Sequence, residues 1–191
     1  MHADGSGTKA VLAYLKWKRT KDLSVWKGIA QDCFVMNLDD ILCSGFTESI
    51  EVSMSIDRNK FLISGEVIAT IIEECQRLCE WVTRLGIPCI YMGGETADVG
   101  NAVRTIVINN TFRASVPIID VINAGNIGAP AFIVGFSSTG QASYEDRPNS
   151  GIRSNGLTNA IHDALCPEYR ADTETYSPEV DIDLIYRGSN R

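Results

Sequence analysis

Apolar positions recur along this chain with two different periods, and the change of period marks the elements. From Glu66 to Leu85 the apolar residues Val67, Ile68, Ile71, Ile72, Cys75, Leu78, Cys79 and Val82 recur every three or four positions. That spacing predicts an amphipathic helix, with Ser64 before it and Gly86 after it. Leu23–Ser44 also predicts a helix, with Ser24 as a cap and Gly45 as the stop. Ile50–Ile56 (IEVSMSI) alternates with period two and predicts a half-buried strand. Ile87–Met92 is a short apolar run, read as a buried strand that leads into GGETADVG. Val103–Val116 holds a long strand or two, and Ala131–Phe136 another. Thr8–Trp17 is apolar and fits either a strand or a helix. Gly140–Arg153 reads as a loop and Ser154–Leu165 as a short helix. Cys166–Arg191 is acidic and weakly patterned. Strands and helices mix without regular βαβ spacing, so the predicted class is α+β.

One stretch breaks the pattern. In Gln31–Cys43 (QDCFVMNLDDILC), Asp32, Asn37, Asp39 and Asp40 sit among residues that suit a core. An ionised carboxylate buried without a partner costs several kcal/mol. Either the acids form a solvated stripe, or they face a cleft and bind a hard cation such as magnesium, which prefers oxygen ligands.

Composition narrows the classes. With 191 residues and 45% hydrophobic content the chain can bury a core. A net charge of -7 argues against binding a nucleic-acid backbone, though not against small anions met by a local positive site. No apolar run approaches the roughly 20 residues of a membrane span. The six cysteines form no CxxC pair and there are two histidines, so buried free thiols are expected rather than zinc. Free thiols point to a reducing, cytoplasmic compartment.

Three further motifs could carry chemistry. In DGSGTK (Asp4–Lys9) the glycines allow close backbone approach, Thr8 offers a hydroxyl, and Lys9 offers a cation for a phosphate. The stretch matches neither a Walker A loop nor a dinucleotide fingerprint, and a plain turn is the alternative. GGETADVG (Gly93–Gly100) places Glu95 and Thr96 at a strand exit, as a ligand or base, or as a Gly-Gly turn with a solvated acid. Ser154-Asn155-Gly156 stands at a helix start suited to an anion, unless the segment is simply a surface loop.

In this order, DGSGTK, D-x6-DD, GGETA and SNG resemble the aminoimidazole ribonucleotide synthetase superfamily. The pattern is most similar to its phosphoribosylformylglycinamidine cyclo-ligase family, over residues 2 to 165. The resemblance implies an ATP-binding N-terminal domain, with a mixed sheet, helices on one face and dimerisation through the sheet. It implies ATP and Mg2+ as cofactors and formylglycinamidine ribonucleotide as substrate, closed to aminoimidazole ribonucleotide in purine biosynthesis. Lys9 and Glu95 would be catalytic. Asp4, Gly5, Gly7, Thr8, Lys9, Asp32, Asp39 and Thr96 would bind the nucleotide. Asp4, Asp40 and Glu95 would surround the metal, and Ser154, Asn155 and Gly156 would meet the substrate.

The chain departs from the family in places. Asp39-Asp40 replaces Asn-Asp, Arg153 stands where a His often precedes Ser-Asn-Gly, and Gln141–Asn149 lengthens a loop. Residues 1–165 are expected to form the nucleotide-binding and dimerisation domain, with 166–191 as a linker. His2–Gly5 reads as the end of a strand, and DIDLIYRGSNR as a lead-in to another. A piece of a longer enzyme is therefore expected, with little activity alone. The alternatives are a small-molecule kinase or selenophosphate synthetase of the same superfamily, or a scaffold that binds nucleotide without turnover.

Overall fold

The computed structural model describes residues 1–143 and 145–191. Tyr144, inside the loop read over Gly140–Arg153, lies outside the described residues. The chain order is β1 (His2–Gly5), α1 (Lys9–Thr20), α2 (Ser24–Cys43), β2 (Ile50–Arg58), α3 (Gly65–Arg84), β3 (Cys89–Asp98), β4 (Ile106–Ala114) and α4 (Leu157–Ala164). Short 3-10 turns follow between residues 167 and 184.

The four strands make one mixed sheet in the order β1-β4-β2-β3. β4 runs antiparallel to both β1 and β2, while β2 and β3 are parallel and joined through α3. The α+β class follows from that mixture. Alternation along the strands separates two faces. Ile50, Val52, Met54 and Ile56 of β2, with Ile106, Ile108 and Phe112 of β4, are buried against the helices. Phe34 of α2 meets Phe112 edge to face, with ring centroids 4.9 Å apart. Neighbours on the opposite face, among them Ile90, Met92 and Val107, are exposed.

α2 explains its own mixed composition. It packs against α1, α3, β1 and β4, and so buries residues around most of its circumference. Its buried Asn37 is fully engaged: the side-chain amide donates to the carbonyls of Asp4 and Cys33, and its oxygen faces His2 Nδ1 at 3.0 Å. Hydrogen bonding of this kind offsets the cost of a buried amide.

Several sequence expectations change. Thr8–Trp17 resolves as helix, because one side of it (Ala10, Ala13, Tyr14) is buried at helical spacing. Ser24 is the first residue of α2 rather than its cap, and Asp22 accepts its N–H at 2.8 Å. β3 runs on past Met92 to Asp98, so GGETA lies within a strand. Ala131–Phe136 forms no strand. Phe132, Ile133 and Phe136 are nearly fully exposed, and no described strand offers them a ladder partner. Five cysteines are buried and free as expected, but Cys43 is exposed.

The C-terminal residues pack rather than trail. Ile185 and Tyr186 are fully buried with Leu15 of α1 and with Leu157 and Ile161 of α4, in a second small core.

Candidate functional site

The turn between β1 and α1 is built by close approach. A side chain at Gly5 would put a Cβ 2.1 Å from Asn109 Oδ1 and 2.6 Å from the Ile108 carbonyl, so only glycine lets β1 lie so near β4. The chain then turns through Ser6 and Gly7 and enters α1 at Lys9. α2 lies alongside in the opposite sense. Asp32 meets Lys9, Cys33 and Asn37 meet the Asp4 carbonyl, and Asp40 meets His2.

Lys9 is the pole of this arrangement. Its Nζ lies 3.1 Å from Asp32 Oδ2 and donates to the Ile152 carbonyl at 3.2 Å. Thr8 Oγ1 and Thr158 Oγ1 are 2.6 Å apart, which ties the start of α1 to the start of α4. Lys9, Asp32, Gly28, Ser150 and Arg153 line a cavity of about 540 Å3, within the range of small-molecule sites. Burial raises the Asp32 pKa above the usual carboxylate value, and the Lys9 charge and hydrogen bond only partly oppose it. Burial also pushes the Cys33 thiol, behind the turn, up to about 12, so it is no nucleophile near neutral pH.

The other expected residues divide into groups. Gly5, Gly7 and Thr8 lie in the turn next to Lys9. Asp39 is on the exposed flank of α2, its pKa raised by desolvation and by the neighbouring Asp40 charge. Asp40 is held by His2 Nε2 at 2.8 Å. Asp4 turns its carboxylate onto the Gly5 amide at 2.7 Å. Asn155 and Gly156 border an adjoining apolar cavity of about 490 Å3 with Leu12 and Ile161, and Ser154 immediately precedes them.

Glu95 and Thr96 stand apart. The register runs Asp4–Asn110–Met54–Gly94, so β1 and β3 are separated by three strand spacings, about 14 Å. Glu95 pairs with Ser55, on the face turned away from the helices. Asp4, Asp40 and Glu95 therefore do not surround one point within the chain. Among the described residues no cluster of three such side chains could hold a metal ion. These donors do not fit a magnesium site inside one copy.

Sequence reasoning missed His2, Asn37, Thr158 and the Ile152 carbonyl. Asn37 and His2 lie in stretches already singled out, so their pairing was within reach. A main-chain acceptor 143 residues away leaves no mark in sequence.

A mixed sheet with helices on one face, and a glycine turn that delivers a lysine to a cleft, define an α+β domain with a cavity of small-molecule size. Residues 1–113 match the family described as AIR synthase related protein, N-terminal domain, and the chain belongs to that family. It is 21% identical over 159 residues to a phosphoribosylformylglycinamidine cyclo-ligase of Methanosarcina acetivorans, and 22% over 159 residues to one of Methanosarcina mazei. Each match covers 83% of this chain and 40% of the relative's length. No helix among the described residues is long and apolar enough to cross a membrane.

Proposed function

We propose that this chain is the nucleotide-binding portion of an ATP-dependent cyclo-ligase acting on formylglycinamidine ribonucleotide. One observation carries the reading: the Gly5–Thr8 turn delivers Lys9 to a small-molecule cavity opposite Asp32. A lysine there can neutralise phosphate charge, and the glycine turn lets phosphate oxygens approach the backbone. In the proposed reaction the γ-phosphoryl group of ATP would pass to the amide oxygen with release of ADP, and a nitrogen would then attack that carbon, losing its proton as the C–O bond breaks and inorganic phosphate leaves. The protein's part is to position groups and stabilise charge. Thr8 and Asp32 would orient the nucleotide, and Ser154–Gly156 would meet the substrate beside the adjoining cavity.

Glu95 belongs with a different surface. Its sheet face carries the exposed apolar residues Ile90, Met92 and Val107. This face is the one a second copy would cover in a homodimer, and Glu95 would act there rather than beside Asp4 and Asp40.

The test is calorimetric titration of a non-hydrolysable ATP analogue with magnesium into the chain. Lys9→Ala should weaken binding by about 1.5–3 kcal/mol, the size of a charged hydrogen bond. Equal affinity in both proteins removes Lys9 from the site. Product detection from formylglycinamidine ribonucleotide and ATP tests turnover.

A further inference from the structure

Lys9 has two acceptors, and they differ in kind. Asp32 offers a carboxylate; Ile152 offers a neutral main-chain carbonyl. The ammonium keeps a third N–H, but the Lys9 side chain is only 14% exposed, so a phosphate oxygen gains access to it by moving a neighbour aside. A pair of opposite charges holds better than a bond to a neutral oxygen, so the carbonyl is the one that yields.

The segment that carries this carbonyl is lightly held. The Ile152 amide donates to Ser150 Oγ at 3.3 Å, and the Gly151 amide to Asn149 Oδ1 at 3.0 Å. Both acceptors lie within the segment, so these turns tie it to nothing outside and fray once the bond to Lys9 is lost. Its anchors lie at the two ends. Asn149 N–H donates to the Gly140 carbonyl at 2.8 Å, and the Thr8–Thr158 hydroxyl pair fixes the start of α4. Between them Gly151 holds φ +66, and the Ile152 side chain is half exposed. Residues 149–153 border the same cavity as Lys9 and Asp32.

We infer that Asn149–Arg153 is a displaceable strap, and that the Ile152 carbonyl holds the place at Lys9 of an anionic phosphate oxygen. Polyphosphate binding expels the carbonyl and swings the strap off the cavity between its two anchors. Arg153, at the strap's end, moves with it. The ligand's identity rests on the nucleotide reading above; the latch between Lys9 and the strap does not.

Hydrogen exchange of the strap amides tests this on the whole chain, with the core strands as internal control. Lys9→Met removes the donor. Gly151→Ala strains the closed strap without touching Lys9 or Asp32, because the new Cβ would sit 2.5 Å from Thr139 Cγ2 at a left-handed φ. Without ligand, the strap amides should exchange about fivefold faster in both variants, the scale of one hydrogen bond. With magnesium and the ATP analogue, the wild-type strap should also exchange faster, and Gly151→Ala should bind the analogue about fivefold tighter. Unchanged strap exchange in Lys9→Met overturns the latch. Slower strap exchange on analogue binding overturns displacement, since the strap would then be a clamp. Absence of analogue binding to wild type and Gly151→Ala alike overturns the nucleotide reading, and the Lys9→Met arm alone then decides the latch.

Discussion

The ammonium of Lys9 lies 3.1 Å from the carboxylate of Asp32, joining the first residue of α1 to the middle of α2. Burial nevertheless leaves the Asp32 pKa above its ordinary value. A carboxyl whose folded pKa exceeds the unfolded one favours folding below the unfolded value, and this contribution is lost as pH rises through the folded value. At neutral pH the ionised acid is therefore a net burden on the fold. Asp32→Asn should leave the melting temperature at pH 7 unchanged or raised. Lys9→Met leaves the acid unpaired and should cost about 1–3 kcal/mol, with a smaller cost at lower pH where Asp32 protonates. Thermal melts of both variants between pH 4 and 8 check the pair; a large destabilisation in Asp32→Asn counts against it.

Gly94 makes a second prediction. A Cβ there would lie 1.7 Å from the Met54 carbonyl oxygen, inside the β2–β3 ladder. Gly93, beside it, holds φ +88 at the register shift opposite Val52–Met54. Gly94→Ala must push two paired backbones apart, and more than about 3 kcal/mol of stability should be lost. Gly93→Ala meets no atom and should cost only about 1–2 kcal/mol of backbone strain. Urea denaturation of the two variants measures the difference.

This glycine pair shows what the sequence could and could not convey. Alternation marked β2, and the three-four spacing marked α3 almost to the residue, because each element buries one face. α2 carried a weaker signal, since a helix packed on several sides loses its polar stripe. GGETA looked like a strand exit because glycines usually end strands; here they make a bulge, and the strand continues. Ala131–Phe136 has the composition of a strand, but strand formation needs a partner that composition cannot supply. At the site, Lys9 and Asp32 could be read as candidates, but their pairing could not, because it depends on how α1 crosses α2. The failure of Asp4, Asp40 and Glu95 to converge has a similar origin. Motif order gives no strand order, and β1 and β3 fall at opposite edges of the sheet.

The C-terminal segment is latched by charge. Lys18 donates to Asp172 at 2.7 Å and to Glu174 at 2.6 Å; Arg19 donates to Asp172 at 2.7 Å, and the Tyr14 hydroxyl to Glu174 at 2.8 Å. Burial alone would raise both acids, but the hydrogen bonds from Lys18, joined by Arg19 at Asp172, prevail and hold both below their usual values. A depressed carboxylate contributes stability above its unfolded pKa, and the contribution fades as pH falls through the folded one. The segment should therefore open only below about pH 4. Asp172→Ala should cost about 2 kcal/mol and open it at neutral pH. Limited proteolysis near Tyr186 at pH 7 and pH 3 reads both effects; a tail as resistant in Asp172→Ala as in wild type would place its hold in the Tyr186 core alone.

The outward sheet face gives the last prediction. Ile90 and Met92 of β3 and Val107 of β4 are exposed on a surface whose other side is the main core. Since these side chains touch none of the helices, charging them should barely affect folding. If a second copy covers them, two lysines brought into that contact without partners would cost several kcal/mol of association, enough to break a micromolar dimer. Ile90→Lys combined with Met92→Lys should therefore convert a dimer to a monomer in sedimentation velocity, with the melting temperature of the isolated fold nearly unchanged. A wild-type chain that sediments as a monomer at high concentration, or a double variant that stays dimeric, would remove this face as the dimer contact and leave Glu95 without a place in the proposed enzyme.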